Sequence, residues 1–175
     1  MDEQGRMPSP GGVESTRAAA PLPSASPAST PTYGSLIAQA KGAQDTLGAV
    51  ETQLNTPNLK LKRSQNHLLR NKLQDATEYT RAAAGKLGID SPAFKIPPGT
   101  GPIDRFLAYV NDGQEQMSLV SQKLQELASS NTQISPADML LVQVKLNQAQ
   151  QEIEYSSTLL GKVIDSLKTV LNTQL

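Results

Sequence analysis

Beyond residue 33, apolar residues return along most of the chain at alternating steps of four and three. Over 34–55 they are Leu36, Ala40, Ala43, Leu47, Val50 and Leu54, one face of a helix with a period of about 3.5 residues. The face is rich in alanine and therefore thin. Thr56-Pro57 reads as an N-cap followed by proline at the first helical position, which would start a second helix there. Leu69, Leu73, Ala76, Ala83 and Leu87 carry it to a stop near Gly88. The segment 34–88 is thus expected to form a helical hairpin or one kinked helix. A third helix is predicted over 103–128, with Ile103, Phe106, Val110, Met117, Val120, Leu124 and Leu127 on its stripe and Asp112-Gly113 as the place for a bend.

The last segment has the most regular pattern. Val142, Leu146, Ala149, Ile153, Ser156, Leu160, Val163, Leu167 and Val170 follow the same spacing, and only Ser156 breaks the apolar seam. Ser135 is suited to cap this helix, with Pro136 at its first position and Asp138 able to answer as a capping-box carboxylate. A helix from Ala137 to near Leu175 would be about 58 Å long, against about 30 Å for the width of a small domain. Such a helix alone is marginal in water. The expectation is that the third helix covers one side of it, antiparallel across a short turn, and that other chains complete the burial. The alternative is that 34–88 folds back and closes a four-helix bundle within one chain.

Between these stretches the composition changes. Residues 1–32 hold six of the twelve prolines among Ser, Ala, Gly and Thr, a composition that buries too little apolar surface to fold. Residues 89–102, IDSPAFKIPPGTGP, contain four prolines and two glycines and cannot be helical. The expected class is all-α: extended helices, a C-terminal antiparallel helical hairpin over 103–175, a Pro/Gly linker over 89–102, and a disordered N-terminal tail over 1–32. The hairpin would be the assembly region, with Met139, Val142, Leu146, Ile153, Leu160, Gly161, Val163, Leu167 and Val170 as its interface. Gly161 would allow a neighbouring helix to approach closely.

Composition removes most chemistry. The chain has no cysteine and one histidine, His67, so no thiolate site, Cys nucleophile or His-based dyad can be built. Gly161-Lys162 lacks the upstream glycine of a phosphate-binding loop. No catalytic, cofactor or metal residues are assigned, and no small-molecule substrate is implied. Lys+Arg and Asp+Glu balance at 16 each, which gives no global attraction to nucleic acid and does not oppose self-association. A local basic run, Lys60, Lys62, Arg63, Arg70 and Lys72, reads as a solvated helix face; nucleic-acid binding and docking of an acidic partner are the alternatives. No stretch has the length and apolarity of a membrane-spanning helix, and the N-terminus lacks the apolar core of a secretory signal.

The run PADMLLVQVKLNQAQQEIEYSSTLLGKVIDSLKTVLNTQ, residues 136–174, resembles the C-terminal region of inner rod proteins of type III secretion systems, the EscI/YscI family. The likeness extends over 102–175, and PNLKLKRSQNHLLRNKL, residues 57–73, is similar to an upstream block of longer members. The resemblance implies a helical hairpin that packs with sister copies between the export gate and the needle. It also implies synthesis in the bacterial cytoplasm and export through the same machine without a cleaved signal peptide. Needle subunits typically carry two close prolines between their helices. Here the turn NTQISPAD has only Pro136, which favours rod over needle. The alternatives are a cytosolic helical adaptor or chaperone-like binding module, and a secreted translocator or effector of the same system.

Overall fold

A computed structural model describes residues 30–174. They form four helices: α1 Tyr33–Leu54, α2 Arg63–Lys86, α3 Pro102–Ser129 and α4 Pro136–Thr173. The all-α class is as expected. The tail expected over 1–32 falls, up to residue 29, outside the described residues. Its last residues belong to the fold: Pro31 is buried, and Thr32 caps α1. The Thr32 hydroxyl accepts from the Ser35 amide at 3.0 Å, and the Ser35 hydroxyl accepts from the Thr32 amide at 3.0 Å, a reciprocal cap that satisfies two otherwise orphan donors.

The start of α2 differs from expectation. Thr56-Pro57 opens a turn rather than a helix. Pro57 takes the second position, Asn58 the third with φ 62°, and the Leu59 amide returns to the Thr56 carbonyl at 3.3 Å, the geometry of a type II turn. Leu59 and Leu61 then pack toward the core while Lys60 and Lys62 face solvent. The helix begins only at Arg63, where the Gln65 side chain accepts from the Lys62 amide at 2.8 Å. Asp112-Gly113 does not interrupt α3, which is continuous helix from Pro102 to Ser129. Gly113 is buried because α1 comes close there: a Cβ at this position would lie 3.1 Å from a Leu47 methyl.

Direction follows from the side-chain pairs. Gln39 meets Gln143 and Gln53 meets Ser157, so α1 and α4 are parallel. Lys72 meets Glu152, and Tyr79 lies beneath Lys145, so α2 opposes α4. Tyr33 of α1 donates to the Thr132 carbonyl at 2.6 Å and accepts from the Ile134 amide at 3.1 Å, which pins the start of α1 to the turn at the end of α3. α1 packs on α3 and α4, and α2 packs on α3 and α4; α1 is not a neighbour of α2, nor α3 of α4. Each sequential pair therefore occupies a diagonal of the bundle. The expected packing of α3 on α4 is absent, because α1 and α2 stand between them.

Because α2 and α3 run parallel, the chain must return the length of α2 before α3 begins. Twenty-four residues of helix span about 36 Å. Residues 87–101 in an extended, proline-rich conformation reach about 46 Å, so the composition suits the task. Arg81 donates to the Pro92 carbonyl, Ser91 donates to Gln116 at 2.6 Å, and the Phe94 ring lies 5.2 Å from that of Tyr109. These contacts lay the crossover along the α2–α3 face.

Candidate assembly surface

The α4 seam is the region to which sequence assigns a role. Its start is built as expected: the Ser135 hydroxyl accepts from the Asp138 amide at 3.1 Å, with the Asp138 carboxylate 2.9 Å from the same hydroxyl. Val142, Leu146, Ala149, Ile153, Ser156 and Leu160 are almost completely buried and Val163 nearly so. Met139 is half-buried against the core. The expectation that other chains would complete this burial is not what the structure shows. The cover comes from the same chain, from α1 on one flank and α2 on the other. A helix too long for a compact ball is still covered here, because α1 and α2 together span most of α4.

Ser156, the one polar residue in the seam, causes no loss. Its hydroxyl donates to the Glu152 carbonyl at 2.8 Å. Thr77 and Thr80 in α2 donate likewise to Leu73 and Ala76, so these three buried hydroxyls are satisfied within their own helices. Polar clasps flank the seam. Gln53 donates to the Ser157 carbonyl at 3.0 Å, and the Ser157 hydroxyl donates back to Gln53 at 3.1 Å. Lys72 lies 2.9 Å from the Glu152 carboxylate and 5.0 Å above the Tyr155 ring. The bond to Glu152, more than offsetting partial burial, raises the Lys72 ammonium above the ordinary lysine range.

Beyond Val163 the cover ends, since α1 stops at Leu54 and α2 starts at Arg63 on this side. Leu167 is half-buried and lines a surface hollow together with Asn58 and Lys60. Val170 is 51% exposed and Leu171 48%. Of the nine predicted interface residues, Val142, Leu146, Ile153, Leu160 and Val163 are thus core, and Val170 is open. Gly161 is half-exposed, and a Cβ there would meet only the Gln53 amide at 3.7 Å, an ordinary contact. Sequence reasoning missed the outer apolar face, where Leu140, Leu141 and Val144 are exposed. The signal was present: the run MLLVQV over 139–144 holds more apolar residues than one stripe can use.

The basic run is divided. Lys72 joins the α2–α4 clasp, and Lys60 and Lys62 stand beside the open end of α4. Arg63, His67 and Arg70 line a surface pocket of about 380 Å³ together with Arg105 and Phe106 of α3. The bundle's most enclosed ion pair lies elsewhere, Arg81 to Asp112 at 2.7 Å across α2 and α3. Burial pushes the Asp112 carboxyl up from the ordinary value, against the opposing pull of Arg81. Among the described residues no helix is long and apolar enough to cross a membrane, and no group of three or more acidic or histidine side chains could hold a metal.

Residues 102–173, which are α3, its turn and α4, match the family model of type III secretion needle proteins, described as MxiH, YscF, SsaG, EprI, PscF and EscF. Neither the curated proteins nor the solved structures hold a match to the chain. The matched family is structural, and the match covers less than half of the chain. It supports a structural subunit of a type III secretion machine.

Proposed function

We propose that the protein is an inner rod subunit of a type III secretion system, placed through its C-terminal helices between export gate and needle and carried there by the machine it helps to build. The observation that carries this reading is the needle-family match over α3–turn–α4. The single proline in the turn favours rod over needle. An open seam no longer supports it, because the seam is covered. The apolar surface available to neighbours without unfolding includes the end of α4, Val170 and Leu171, and the outer face Leu140, Leu141 and Val144.

The test is secretion by a strain lacking this chain. Secretion should stop, return with the parent gene, and fail to return with Val170→Asp combined with Leu171→Asp, whose product should remain folded because both positions are exposed. Normal secretion in the deletion strain would contradict the reading. Leu160→Asp is unsuitable here, since Leu160 is core and its loss of function would report unfolding.

The closed single-chain bundle favours a second reading, a cytosolic helical adaptor. It predicts a monomer that is never exported and retains its activity when residues 1–29 are removed.

A further inference from the structure

Every helix–helix interface in the bundle joins the N-terminal pair to the C-terminal pair: α1 with α3, α1 with α4, α2 with α3, and α2 with α4. No interface lies within either pair. The molecule is thus a complex of two halves, 33–86 and 102–173, that happen to be joined by residues 87–101. We infer that the halves exchange between copies: the α1–α2 pair of one molecule lies on the α3–α4 pair of the next. The partner is a second copy of this chain.

Exchange recreates the same interfaces, because each contact that holds the monomer is between halves. The Leu47 seat on Gly113, the Gln53–Ser157 clasp, the Lys72–Glu152 pair and the Arg81–Asp112 pair would form between chains as they do within one. Only the crossover changes course. Leu87 and Ile89, at its start, pack with the core at the end of α2; beyond them its tethers are few: the Arg81 bond to the Pro92 carbonyl, the Ser91 bond to Gln116, and the Phe94–Tyr109 contact. In the monomer it must fold back over the length of α2. Released, the same residues can reach a neighbouring bundle. A connection that either closes a molecule on itself or bridges to the next is the setting for domain swapping. Each molecule would give its N-terminal half forward and receive one from behind, a head-to-tail arrangement that continues as an open run or closes as a ring. Balanced charge, 16 against 16, does not oppose it. The inference names the partner and the contact for the subunit reading above, and rests on that reading only for its biological setting.

The chain has no cysteine, so introduced thiols report cleanly. Gln53→Cys with Ser157→Cys, bridged by a short reducible bis-thiol crosslinker, links the two halves wherever they meet. Crosslinked dilute, the full chain should give monomers on a denaturing gel. Crosslinked after concentration into oligomers, it should give a ladder. Monomers crosslinked first should fail to assemble until the bridge is reduced. Oligomers whose crosslinks all lie within single chains would overturn the inference, as would crosslinked monomers that assemble as readily as reduced ones, or a reduced chain that stays monomeric at every concentration. A second variant is independent of the thiols. Deleting residues 92–97 leaves nine crossover residues, with a reach of about 28 Å, too short for closure within one chain. This variant should be folded and oligomeric even when dilute; a folded monomer would overturn the inference. Secretion in the deletion strain decides the subunit reading separately, so either can fail alone.

Discussion

The two halves of the bundle are built from different material. The N-terminal half buries Ala40, Ala43, Ala76, Ala83, Ala84, Thr77 and Thr80 beside its leucines. The C-terminal half buries Phe106, Val110, Met117, Val120, Leu124, Val142, Leu146, Ile153 and Leu160. Close approach also comes from the heavier half, where Gly113 of α3 admits Leu47 of α1. Two thin faces could not fill a core, and two thick ones would hold the helices apart. The halves depend on each other, since every helix–helix interface lies between them.

Substitutions should separate the halves by size of effect. The largest is Leu160→Asp, which places a charge in the core without a partner and should cost more than about 4 kcal/mol; chemical denaturation should find no folded baseline. Ile153→Ala comes next, at about 2–5 kcal/mol, whereas Ala43→Gly in the thin half should cost only about 1 kcal/mol. Equal losses at these two positions would break the comparison. Arg81→Ala leaves the buried Asp112 carboxylate unpaired and should cost about 1–3 kcal/mol at neutral pH.

The smallest effect is a change in pH dependence. Burial, the largest influence on Asp112, raises its carboxyl above the ordinary value, so the folded protein holds that proton more tightly than the unfolded chain does. Its stabilising contribution is complete below the ordinary aspartate value of about 3.9 and is lost as pH rises through the folded value. Asp112→Asn should remove that decline. The check is the difference in denaturation midpoint between variant and parent from about pH 3.5 to about pH 7.

Much of the fold was legible in the sequence because helix faces and caps are local. The α1 stripe from Leu36 to Leu54 is the buried face as read, and Ser135, Pro136 and Asp138 set the start of α4. Thr56-Pro57 misled because a helix start and a type II turn both accept proline at that place; only the left-handed Asn58 distinguishes them. Asp112-Gly113 is ambiguous in the same way, since glycine marks both an interruption and a close approach, and here it serves the close approach to Leu47. The seam of α4 announced that it would be buried and was silent on what would bury it. A stripe records its own period, not its partner. Adjacency along the chain pointed to α3, and the actual partners were α1 and α2, whose alanine faces gave little hint of how much they cover.

The central claim is that the fold exists only between the halves. The direct measurement is circular dichroism of residues 30–88 and residues 89–175 prepared as separate chains, each dilute, then mixed. Each fragment alone should show little helix, and an equimolar mixture should gain it cooperatively in a one-to-one complex. A C-terminal fragment that is fully helical and monomeric by itself, and unchanged on mixing, would contradict the account.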